Sequence, residues 1–104
     1  MIPVLALALA LASADVHQYG LFEQGFTAAK EYANPLKDVE VLVEFSGPGG
    51  VKEEAEAFWD GGRRWKVRYS PERTGLYRYR VVCSDPADTG LHQQTGSFRV
   101  AEYR

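Results

Sequence analysis

Between residues 38 and 46 the chain reads DVEVLVEFS, with Val39, Val41, Val43 and Phe45 at every second position and Glu40 and Glu44 between them. A period of two puts alternate side chains on opposite faces, so this stretch is predicted as a half-buried strand. The alternation recurs. Trp65, Val67 and Tyr69 against Arg64, Lys66 and Arg68 predict a strand over 63–69. Tyr77, Tyr79, Val81 and Cys83 against Arg78 and Arg80 predict another over 76–84, and Phe98 with Val100 a last one over 94–102. Residues 16–29, rich in Tyr19, Phe22 and Phe26, read as a first strand, whole or broken. It stops before Asn34-Pro35, because a residue preceding proline is pushed to extended or turn geometry. Residues 51–59 are ambiguous. KEEAEA favours a helix by propensity, but Ala55, Ala57 and Trp59 alternate with Glu54, Glu56 and Phe58 between two turn signals, so a strand is expected.

Turn chemistry separates these segments: Gly47-Pro48-Gly49-Gly50, Asp60-Gly61-Gly62, a corner over 70–75 and a loop over 85–90. Six or seven short strands at this spacing predict an all-β sandwich. Nothing supplies the crossover helices of a parallel sheet. Tyr77, following Pro71 and Gly75, resembles the tyrosine corner of immunoglobulin-like sandwiches, where a tyrosine near the start of the sixth strand bonds back to the backbone of the corner. The expected fold is therefore an immunoglobulin-like antiparallel β-sandwich of about seven strands. Pro71, Gly75 and Tyr77 form its structural corner.

Residues 1–14, MIPVLALALALASA, carry no charge and are too short to span a bilayer. They end in Ala12-Ser13-Ala14, a small-x-small pattern that suits signal peptidase. A signal peptide over 1–14 and a mature domain over 15–104, starting at Asp15, are expected. The product is then secreted, periplasmic or at the cell surface, with no membrane contact after cleavage. At 104 residues the chain holds one small domain. Its 14 acidic and 12 basic residues leave a net charge of -2, which gives no electrostatic case for nucleic acid as a partner. A single cysteine excludes an internal disulfide.

Catalytic motifs fail on their own terms. Glu53, Glu54 and Glu56 form a charge run, which is ordinarily a solvated face. His17 and His92 lie near opposite ends of the mature part in no metal-ligand spacing and read as surface or capping residues. Cys83 falls on the apolar face of its strand and reads as a small buried hydrophobe. Asp85 and Asp88 suit an Asp-Pro turn better than a calcium loop. No catalytic residue, metal or cofactor is expected. Exposed flat aromatics are what sugar rings stack on, and Tyr19 and Trp59 are the ligand-binding candidates; Trp65, in phase with Val67, reads as core. Arg64, Lys66 and Arg68 form one outward stripe, and Arg78 and Arg80 another on the next strand. Pairing with Glu40, Glu44, Glu54 or Glu56 is expected, or else docking to a partner.

A wider pattern runs through the chain: Tyr19-Gly20-Leu21-Phe22-Glu23, Asn34-Pro35-Leu36, Phe58-Trp59-Asp60-Gly61, Trp65 to Pro71, Gly75-Leu76-Tyr77-Arg78-Tyr79 and Thr95-Gly96-Ser97-Phe98-Arg99-Val100. In this order and spacing it resembles a family of uncharacterised immunoglobulin-like domains. These sit at the N-terminus of secreted bacterial proteins, before an apiosidase-like (β/α)-barrel glycoside hydrolase domain. The resemblance covers residues 16–103. It implies a non-catalytic accessory domain that packs on, or shapes the cleft of, a glycoside hydrolase catalytic domain in cis. The alternatives are a stand-alone module that binds polysaccharide and a cell-surface interaction domain.

Overall fold

The computed structural model describes residues 15–103; the expected signal peptide over 1–14 lies outside the described residues. The strands are β1 (Val16–His17), β2 (Phe22–Thr27), β3 (Val41–Gly47), β4 (Val51–Glu56), β5 (Phe58–Trp59), β6 (Arg64–Tyr69), β7 (Gly75–Cys83) and β8 (Thr95–Ala101). One helical turn, α1 (Pro35–Asp38), joins β2 to β3. A five-stranded sheet in the order β1-β8-β7-β3-β4 faces a three-stranded sheet in the order β2-β6-β5. This is an all-β sandwich with the strand order of the immunoglobulin-like class, the first strand being attached to the larger sheet.

The period of two works as expected where both faces of a strand have different fates. Val41, Val43 and Phe45 of β3 are buried, and Val43 pairs with Val81 while Phe45 pairs with Tyr79 of β7. Phe22 of the smaller sheet stacks on Phe98 of the larger, with ring centroids 3.8 Å apart. Phe45 stacks on Tyr69 across the same gap at 4.1 Å. These two pairs bridge the layers, and aromatic pairs of this kind add roughly 0.5–1.5 kcal/mol each beyond the area they bury.

Several expectations need correction. The expected single strand over 51–59 is two strands in two sheets. β4 pairs with β3, and β5 pairs with β6. The N–H of Ala57 makes the last bond to the Val41 carbonyl, 2.9 Å, and the chain then crosses to the other layer. The alternation survives the crossing because both sheets turn their inner faces to one core; only the pairing partner changes.

The antiparallel expectation fails at one place among the described strands. β1 runs parallel to β8, with Val16 opposite Val100. No crossover helix is required, because the two strands are far apart in sequence and the whole sandwich lies between them.

The basic stripes lie on strands consecutive in the chain, as expected, but find few of the expected partners. β6 and β7 belong to different sheets, so the stripes face solvent on opposite sides of the molecule. Arg68 pairs with Glu23 of β2 at 2.6 Å and Lys66 with Asp60 at 3.5 Å, while only Arg80 finds an expected partner, Glu44 at 2.7 Å. Exposed pairs like these contribute little to stability. Glu53 is not simply part of a solvated run. It lies opposite Phe45, on the inward side of the edge strand, and its carboxylate accepts a hydrogen bond from the Tyr69 hydroxyl of the other sheet.

Candidate functional site

The candidate side chains lie at the two ends of the sandwich. At one end β5 places Trp59 opposite Trp65. Trp65 is buried, as expected of a core residue, whereas Trp59 is 37% exposed. The difference follows from position: β6 is the central strand of its sheet and β5 an edge. The Trp59 indole N–H donates to the Gly62 carbonyl at 2.9 Å, which pins the ring across the turn. Gly61 and Gly62 both have positive φ, 95° and 55°, a conformation that glycine adopts without a Cβ clash. The next side chain, Phe58, points to the other face and lies under the Arg68 guanidinium, 5.1 Å from its ring centre. Cation and ring attract each other in this geometry.

Trp59 forms one wall of a cleft of ≈ 640 Å³ with Leu36, Trp65 and Ala57, rimmed by Glu40, Glu56 and Ser84. Leu36, on α1, is 75% exposed. An apolar wall with a few hydroxyl and carboxylate groups on its rim can receive a ring that carries hydroxyls.

Several groups with displaced pKa values lie beside this end, in a closed knot between the 28–32 and 85–92 loops. Asp88 is fully buried. Its carboxylate accepts from the Ala29 N–H (2.7 Å), the Gly90 N–H (3.1 Å), the Lys30 N–H (3.4 Å) and the Tyr32 hydroxyl (2.7 Å). Burial opposes its charge, but the Ala29 N–H, the Tyr32 hydroxyl and the two further N–H groups outweigh burial and hold the carboxyl below its ordinary value. Asp85 is also held low, first by the Lys30 ammonium at 2.7 Å and then by the Tyr32 hydroxyl. Burial, then Asp88 and Asp85, push the Tyr32 hydroxyl well above the ordinary tyrosine value. Displaced pKa values mark functional sites when they sit in a cleft. Here the Asp88 oxygens are enclosed by donors, which suits a fixed anion and not a bound cation. Among the described residues no group of three His, Cys, Asp or Glu side chains is placed to hold a metal. Cys83 is buried and burial raises its thiol pKa, so it is no nucleophile. The His92 ring nitrogen Nδ1 accepts from the Cys83 N–H at 3.1 Å, a structural role.

The other end carries the corner. Pro71 and Tyr77 are fully buried, and the Tyr77 hydroxyl accepts from the Arg73 N–H at 3.2 Å. Gly75 has φ 123°, and a Cβ there would meet Pro48 at 2.8 Å. Tyr19 lies beside this corner, its N–H donating to the Pro71 carbonyl at 2.8 Å. The structure therefore does not bring Tyr19 and Trp59 together; each belongs to its own end. Sequence reasoning assigned Asp88 only a turn and Leu36 only a place in a motif, and it missed Tyr32. Only Asp85-Pro86 advertised a turn, and nothing in the spacing of Tyr32 and Asp88 linked them.

Residues 15–84 match the family described as Domain of unknown function (DUF5060). No curated protein matches the chain. Among solved structures, a candidate glycoside hydrolase from Bacteroides vulgatus has the same fold over 88% of this chain, with a TM-score of 0.73 and 22% identity. The chain spans 17% of that protein's length.

Proposed function

Because the chain belongs to the DUF5060 family, we propose that it is the non-catalytic, N-terminal accessory domain of a secreted carbohydrate-active enzyme. It packs on a glycoside hydrolase barrel in the same polypeptide and helps to shape the cleft. The observation that carries this reading is that a candidate glycoside hydrolase devotes 17% of its length to this sandwich. Export follows from the apolar 1–14 segment. The test is the mass of the native product, detected with antiserum to this domain. A barrel of roughly 250 residues added to this domain puts the product at about 38 kDa or more, starting at Asp15. A product of about 10 kDa sinks the proposal, since a sandwich of this size leaves no room for a barrel.

The pinned, half-exposed Trp59 supports a second reading, in which the cleft itself binds polysaccharide. Titration calorimetry with soluble plant polysaccharides is then expected to give heat that Trp59→Ala abolishes. No heat from the wild-type chain removes this reading and leaves the first intact.

A further inference from the structure

The corner end of the sandwich carries an exposed apolar group of its own, distinct from Leu36, Phe58 and Trp59 at the other end. Tyr19 is 60% exposed, Leu21 59% and Tyr103 68%. The Tyr19 and Tyr103 rings meet edge to face, 5.9 Å between centroids. The outer face of the larger sheet contrasts with this. Its depression of ≈ 970 Å³ carries charges of both signs, Lys52, Arg78 and Arg80 with Glu44 and Glu54.

Tyr19 is also strained. Its φ is 64°, in the left-handed region where a Cβ crowds the backbone. The turn is enforced on both sides, by the Tyr19 N–H on the Pro71 carbonyl and the Gly20 N–H on the His17 carbonyl, 2.9 Å. A glycine at position 19 would relieve the strain. The tyrosine instead keeps a large ring aimed at solvent, where Tyr103 is its one aromatic contact among the described residues. Strain of this kind persists where the surroundings over-determine it, and it concentrates at functional surfaces.

Gln18 fastens the patch to the body. Its side-chain Oε1 accepts from the Tyr103 N–H at 3.0 Å, and its Nε2 donates to the Glu72 carbonyl at 3.0 Å. Its backbone N–H donates to the Ala101 carbonyl at 2.8 Å. The segment past β8 is thereby held against the corner, and Tyr103 sits where the chain leaves the sandwich.

We propose that Tyr19, Leu21 and Tyr103 form the seat of the domain that follows in the same polypeptide, which covers them with an apolar patch of its own. The proposal rests on the reading above, that a catalytic domain shares the chain. Position chooses this occupant. A domain linked just after Tyr103 meets this patch at a very high effective concentration, which no separate protein matches. Tyrosines suit the task because each offers an apolar body and a polar tip.

The test compares the full-length polypeptide with the 104-residue chain. Amide exchange at residues 19–21 and 102–103 is expected to be about tenfold slower in the longer protein, because covering the patch suppresses local opening. The double variant Tyr19→Asn, Tyr103→Ser is expected to abolish that protection and to split a single thermal transition into two. Asparagine adopts positive φ readily, so the variant removes the ring and keeps the turn; unchanged Trp65 fluorescence verifies the fold. Equal exchange in the two proteins, or a double variant that behaves as wild type, overturns the seat and leaves the shared polypeptide standing. A native product that ends at Arg104 overturns both.

Discussion

Asp88→Ala is expected to destabilise the domain by about 3–4 kcal/mol, enough to lower Tm by roughly 12–32 °C. The carboxylate is the sole acceptor found for the N–H groups of Ala29 and Gly90, and it takes the Tyr32 hydroxyl as well. Deleting it leaves several donors unmade inside the protein, and each such group costs about 1–3 kcal/mol. The same loss unties the 28–32 loop from the 85–92 loop, with Leu91 fully buried between β7 and β8. Urea unfolding followed by tryptophan fluorescence measures the loss. The effect depends on pH in a fixed direction. Asp88 and Asp85 both have pKa values held below ordinary in the folded chain. Their contribution is therefore complete above the unfolded value, about 4, and disappears as pH falls through the lower folded values. The gap between wild type and Asp88→Ala narrows in acid below about pH 4. A gap that stays constant down to about pH 2 would mean that the carboxylate charge is not what holds the loops.

Tyr77 separates into two effects. Tyr77→Ala is expected to cost about 4 kcal/mol, since a buried aromatic ring leaves a cavity that a close-packed core fills poorly. Its ring is fully buried, stacks on Phe98 at 5.3 Å, and lies so close to Gly47 that a Cβ there would come within 2.5 Å of it. Tyr77→Phe is expected to cost only about 1 kcal/mol, the net worth of the bond from the Arg73 N–H. The pair of variants measured in one denaturant series decides the matter. If the phenylalanine variant is as unstable as the alanine one, the hydroxyl and not the ring secures the corner.

Alternation made the strands legible wherever a strand had one wet face and one dry face. Residues 38–46 announce β3 because Glu40 and Glu44 interrupt the valines, and 63–69 announce β6 through its basic residues. The same rule could not separate β4 from β5. Ala55, Ala57 and Trp59 face one core throughout, and a period of two records which face a side chain takes, not which strand lies beside it. Nor could it find the parallel β1–β8 pair, whose two residue pairs are too short a run to carry a pattern. The corner was readable because Pro71, Gly75 and Tyr77 lie within seven residues of one another. The Asp88 knot was not. Its members are 56 residues apart at Tyr32 and Asp88, and a buried carboxylate looks like a surface one until its donors are seen. At the candidate sites the aromatic character of Tyr19 and Trp59 was visible, but not that they occupy opposite ends, which depends on the chain switching layers at Ala57.

The parallel attachment of β1 to β8 has a mechanical consequence. The chain enters β1 at Asp15, beside Arg99, and leaves β8 at the far end of the pair, near Tyr103. Tension applied between these two points runs along both strands in opposite directions. It loads in shear the bonds from the Asp15 N–H to the Arg99 carbonyl (2.9 Å), from the Gln18 N–H to the Ala101 carbonyl (2.8 Å) and from the Arg99 N–H to the Asp15 carboxylate (3.0 Å). Bonds loaded side by side share the force and must fail together, whereas those of an antiparallel hairpin pulled from its open end break in succession. A stretch of two residues thus serves as a latch for the whole sandwich under tension.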